Sequence, residues 1–109
     1  MRLTSSMWFA AFMRKEQQRG SFVAVVKSGS EQAGAIFVVH NHLDGVLDVY
    51  SPAPQSMMME RAGRKFECVL KEVPQSKVDE YLEKQKKFDP DLWIVEVESS
   101  SHGLDLDFE

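Results

Sequence analysis

Two histidines two positions apart, His40 and His42, and an aspartate a little further on, Asp48, are the residues of this chain whose types and spacing could do chemistry together. On a β-strand alternate side chains share a face, so the two imidazoles would stand on one side at a separation a metal ion can bridge. A hairpin that brings Asp48 across from them would add a carboxylate. The result is a face of two imidazoles and one carboxylate with open coordination positions, suited to zinc or to oxygen-active iron and able to activate water. The competing reading is a solvated or partly covered sheet face carrying a cross-strand histidine–aspartate pair, the commoner use of such residues. The candidate metal ligands are therefore His40, His42 and Asp48. No residue is assigned a catalytic role, no cofactor is specified, and whether the chain is an enzyme is left open.

Other chemistry is thinner. Cys68, the single cysteine, lies in an alternating run between Phe66 and Leu70 and is expected to face inward as a small hydrophobe rather than as a nucleophile. One cysteine excludes an internal disulfide and any multi-cysteine zinc site, which agrees with a reducing compartment. The chain has no serine elbow and no phosphate-cradling glycine loop.

The elements that must position the histidines come from the stretch Ala33 to Gln55. Ala35 to His42 reads as a strand with Ala35, Phe37, Val39 and Asn41 on one face and Ile36, Val38, His40 and His42 on the other. A two-residue turn at Asp44-Gly45 would scatter the polar residues over both faces. A three-residue loop, Leu43-Asp44-Gly45 with Gly45 left-handed, pairs His42 with Val46 and His40 with Asp48. It gathers Phe37, Val39, Leu47 and Val49 on one face and the three polar residues on the other, and that segregation selects it. Pro52 and Pro54 then end the pairing.

Around this hairpin the chain alternates helix and strand signals. Thr4, Ser5 and Ser6 are possible caps for a first helix through about Gln18, ended at Gly20. Its first turns are apolar nearly all round, which marks either a core helix or a partner surface. Phe22 to Lys27 is a strand. Ser56 could cap a short helix over Met57 to Ala62, Lys65 to Val73 is a half-buried strand, and Ser76 with Asp79 resembles a capping box for a second long helix. Val78, Tyr81, Leu82 and Phe88 lie on or near its apolar stripe. Leu92 to Glu98 is a strand with Trp93, Val95 and Val97 inward, and Leu104, Leu106 and Phe108 alternate with acids as a final edge strand. The expected fold is one α+β domain over residues 1–109, with a mostly antiparallel sheet of five to six strands and two main helices covering a face, in the order α-β-β-β-β-α-β-β.

Composition bounds the function. The apolar run Met7 to Met13 is about a third of a bilayer crossing and leads into charged residues, so it reads as neither a span nor a signal peptide. A soluble, cytoplasmic protein is expected. The net charge of −4 conceals alternating blocks: +4 over 1–27, −4 over 28–60, +3 over 61–87 and −7 over 88–109. The acidic balance argues against a nucleic-acid partner. The apolar first helix, the methionine run and the segregated charge together point to a non-catalytic interaction or self-associating module. Trp8, Phe9, Met57 and Met58 are its candidate contact residues, and a homodimer or another protein is the expected partner. A small-ligand pocket beside the Pro52–Pro54 corner is a further possibility.

Four segments carry a family resemblance: Ala33-Gly34-Ala35-Ile36-Phe37-Val38, the Leu43-Asp44-Gly45 turn, Pro52-Ala53-Pro54-Gln55, and Phe88-Asp89-Pro90-Asp91-Leu92-Trp93-Ile94-Val95-Glu96-Val97-Glu98. In order and spacing they resemble the bacterial proteins grouped as domain of unknown function family 1491, from the Trp8 helix to the last acidic segment. The resemblance implies a small, soluble bacterial protein with no assigned activity. It supplies no catalytic residues to carry over and makes no demand for histidine at positions 40 and 42.

Overall fold

The computed structural model describes residues 3–54, 64–100 and 102–108. The elements run in the order α1 (Ser5–Gln18), β1 (Phe22–Lys27), β2 (Ile36–Asn41), β3 (Leu47–Pro52), β4 (Phe66–Val73), α2 (Gln75–Phe88) and β5 (Trp93–Glu98). The α+β class and the predominance of antiparallel pairing follow the sequence expectation. The short helix expected over Met57 to Ala62 falls outside the described residues.

The last strand is the centre of the sheet. The order is β1-β5-β2-β3-β4, with β5 inserted between β1 and β2, antiparallel to the first and parallel to the second. The reason lies in β5 itself. Trp93, Val95 and Val97 are buried on one face and Ile94 on the other, with Glu96 and Glu98 of that second face half-buried, so β5 has apolar contacts to make on both sides of the sheet. Two glycines admit it there. The β1–β2 connection lies against the chain entering β5, where a Cβ on Gly29 would run into the Asp91 carbonyl oxygen and the Leu92 backbone. A Cβ on Gly34 would come within 2.5 Å of the same Asp91 oxygen. The Ser30 amide donates to Asp91 O at 2.9 Å and the Trp93 indole to Ser30 O at 2.8 Å, closing that junction.

The two long helices cover opposite faces of the sheet, not one face as expected. Phe9 and Phe12 of α1 pack with Val23, Ile36, Val38, Phe66, Val95 and Val97. Val78 and Leu82 of α2 pack with Phe37, Val39, Leu47, Val49, Leu92 and Ile94. The alternation in β2 already contained two apolar sets, and each needed its own cover. Thr4 caps α1 by accepting from the Met7 amide at 3.2 Å, and Gly20 leaves it at φ +91°. The second helix begins at Gln75 behind Pro74, with no side-chain cap from Ser76; Gln75 instead bonds Asp79 at 2.9 Å. Phe88, expected near the apolar stripe, is 86% exposed at the end of α2.

The expected sixth strand reduces to a single parallel bridge between Phe108 and Phe66. Leu104 and Leu106 pack instead against the α1-side core, where burying two leucines replaces a hairpin with β5. Among the described residues no helix is long and apolar enough to cross a membrane.

Candidate functional site

The hairpin has the register that its polarity pattern requires. His40 stands opposite Asp48 and Val39 opposite Val49, the His42 amide donates to Val46 O at 3.3 Å, and Gly45 has φ +97°. Leu43 is left-handed as well, at φ 65°, with its amide held by the Asn41 side-chain oxygen at 2.9 Å. His40, His42 and Asp48 thus meet on the α1 side of the sheet, each with one potential ligand atom inside a cluster no wider than 4.8 Å. The two imidazole centroids are 4.1 Å apart with planes tilted by 40°.

Each member is held by a partner of its own. His40 is 2% exposed, and its Nε2 lies 3.0 Å from the Ser99 carbonyl oxygen at the end of β5. A carbonyl only accepts, so Nε2 carries the proton and Nδ1 carries the lone pair. Burial lowers the His40 pKa below its ordinary 6.5 and the neighbouring His42 adds to this, against the raising effect of the Ser99 bond, Asp48 and Glu16. His42 Nε2 donates to Asp48 Oδ2 at 2.8 Å. Asp48 Oδ1 accepts from the Glu72 amide at 2.7 Å. Burial pulls the Asp48 carboxyl upward, but the Glu72 amide and the His42 bond and charge outweigh it and hold the pKa below the usual value.

The Glu72 amide is there because β4 departs from regular pairing. Leu47 pairs with Val73 and Val49 with Leu70, so two residues of β4 stand opposite Asp48, and Glu72 takes φ 52°. A second shift, between Val49 and Tyr50, pairs Tyr50 with Cys68 and turns Leu70 to the α2 side. That breaks the expected alternation of Phe66, Cys68 and Leu70. Phe66 is buried, but Cys68 is exposed on an edge strand instead of facing inward, and burial with the Asp48 charge pushes its thiol pKa up. Tyr50, between Asp48 and Phe108, is pushed up to about 12, chiefly by burial and then by Asp48.

Sequence reasoning missed two residues of this region. Glu16 of α1 is fully buried and accepts from Arg19 Nη1 at 2.8 Å, Ser21 Oγ at 2.9 Å and the Asp105 amide at 2.9 Å, tying the helix end to the acidic tail. His102 lies 3.3 Å from Ser99 Oγ and 3.1 Å from Arg19 O. Neither carried a signal: Glu16 lies within the polar run Arg14 to Arg19, where an acid is expected to face solvent, and His102 lies in the turn before Gly103.

The candidate contact residues divide differently. Phe9 is buried against Trp93, and Trp8 is half-buried between Phe12 and Phe66, so both serve the α1-side core. Met57 and Met58 lie outside the described residues. Exposed apolar side chains gather on β1 instead: Phe22 is 62% exposed and Val26 60%, with Val25 also open. This strand is a sheet edge, and α2 rests on β3 and β4 at the other side of the sheet. A shallow cleft of about 170 Å³ lies beside α1, lined by Trp8, Phe12 and Leu106 among others; the Lys15–Asp105 ion pair at 3.0 Å is part of its lining.

Residues 3–105 match the model of a family described as protein of unknown function (DUF1491). The solution structure of protein Atu0922 from A. tumefaciens is 42% identical, with a TM-score of 0.88 over 99% of this chain and 95% of that one. The crystal structure of a DUF1491 family protein from Caulobacter crescentus CB15 is 28% identical, with a TM-score of 0.79 over 100% of this chain and 99% of that one. An NMR structure of a DUF1491 family protein from the same organism is 27% identical at a TM-score of 0.77, covering 100% and 98%. No curated protein matches the chain.

Proposed function

This chain belongs to the DUF1491 family, and from that premise we propose that it is a bacterial, cytoplasmic, non-catalytic interaction module that associates with a second copy of itself through the free edge of β1. One observation carries the reading: Phe22 to Val26 is an uncharged, apolar edge strand with Phe22, Val25 and Val26 open to solvent. Edges in soluble proteins are ordinarily shortened, charged or covered, and an apolar one is a template for pairing.

The occupant we favour is a second copy because the strand is self-complementary. An antiparallel pairing about a two-fold axis through Ala24 sets Val23 of each copy against Val25 of the other and Phe22 against Val26, the residue at which β1 departs from regular pairing with β5, with no like charges opposed. Lys27, the last residue of β1 and its one charge, folds back to the Pro90 and Leu92 carbonyls at 2.6 and 3.0 Å and so points away from the edge. Sedimentation velocity across a concentration series tests this. A reversible dimer that Phe22→Lys and Val26→Lys each convert to monomer, with unchanged far-UV circular dichroism, supports it; a wild-type monomer at every concentration overturns it.

A further inference from the structure

The histidine pair is unused by that reading, and its hydrogen bonds have a direction. Both Nε2 atoms are engaged, His40 with the Ser99 carbonyl and His42 with Asp48. Neither Nδ1 has a protein partner among the described residues. No buried side-chain nitrogen or oxygen of those residues lacks a partner, so the unbonded Nδ1 of the nearly buried His40 must reach the surface. His42 is more open, at 29% of its side chain.

We propose that His40 and His42 take a divalent, imidazole-preferring transition-metal ion on their two Nδ1 atoms, with Asp48 outside the coordination sphere as the positioning residue of His42. The arrangement follows the usual economy of such sites, in which each ligand histidine donates its other N–H to a carbonyl or carboxylate that fixes tautomer and ring orientation. Ser99 and Asp48 fill those two roles. Asp48 accepts from His42 on one oxygen and from the Glu72 amide on the other, the contacts of a residue that orients His42; direct ligation by Asp48, the sequence expectation, would instead free the His42 Nε2 from it. The neighbouring carboxylates of Asp48 and Glu16 favour a cation beside the imidazoles. Two protein donors leave the remaining positions to water, which describes an open, exchangeable site and not a closed structural one.

The test is a zinc titration of the whole protein, followed by calorimetry and by two-bond 1H–15N correlation of the imidazoles. The Nδ1 resonances of His40 and His42 are expected to move together with saturation at one ion, while both Nε2–H groups persist. His42→Ala, at a half-exposed position that tolerates truncation, should weaken binding at least about tenfold, and Asp48→Asn by about 10- to 100-fold. His102→Ala should leave it unchanged. Metal shifts at Nε2 of either histidine, affinity that survives His42→Ala, loss of binding on His102→Ala, or no saturation below millimolar zinc would each overturn the assignment.

Discussion

Replacing Asp48 by asparagine isolates what its charge does. The asparagine carbonyl can still accept the Glu72 amide, now bonded at 2.7 Å, but its NH2 meets the Nε2–H of His42, now a donor at 2.8 Å. His42 must change tautomer or lose the bond. A hydrogen bond to a charged group contributes about 1.5–3 kcal/mol, and a neutral replacement recovers part of it, so Asp48→Asn should cost about 1–2 kcal/mol at pH 7. Asp48→Ala also strands the Glu72 amide in its left-handed bulge, adding about 1–3 kcal/mol for an unsatisfied donor. The pH dependence carries the sign. The Asp48 pKa is lowered from 3.8 in the folded chain, so its stabilisation is present above that value and is lost progressively as pH falls from there through the lower folded value. Urea denaturation of wild type and Asp48→Asn should show a gap at pH 7 that narrows below pH 4. Equal midpoints at pH 7, or a gap of the same size at pH 3, would refute the role given to the carboxylate.

Four further outcomes follow from the same structure. His40 is shifted down by burial, so the unfolded chain takes up a proton there first and stability should fall as pH drops below 6.5; His40→Gln should flatten that part of the urea-stability profile. Val38→Ala and Val39→Ala remove neighbouring side chains from opposite cores and should each cost about 1.5–3 kcal/mol with unchanged denaturant slope, whereas a sheet covered on one face would spare one of them. Gly29→Ala drives a Cβ into the Asp91–Leu92 backbone and should lower the melting temperature by about 4–8 °C or more, read by calorimetry. Cys68, though exposed, has a raised thiol pKa and should react with a disulfide reagent at pH 7 more slowly than an unstructured cysteine, with rates converging in urea.

The residues of the hairpin determined its register without help from the rest of the chain. Phe37, Val39, Leu47 and Val49 could share a face only if Leu43-Asp44-Gly45 formed the loop, and that local choice alone placed His40 opposite Asp48. The first helix and its Thr4 cap were likewise local matters, as was the strand Trp93–Glu98 with its alternating apolar residues. Tertiary structure decided everything that depends on what lies beyond one element. Alternation in a strand shows two faces but not which helix covers each, so α1 and α2 had to be seen on opposite sides. It cannot show a bulge, because the extra residue at Glu72 exists only relative to β3, and that bulge is what engages the second oxygen of Asp48. Nor can it show that β5 enters between β1 and β2. That insertion brings Ser99 to His40 and leaves β1, among the described residues, as an apolar sheet edge, and so makes both the histidine pair and the exposed strand what they are.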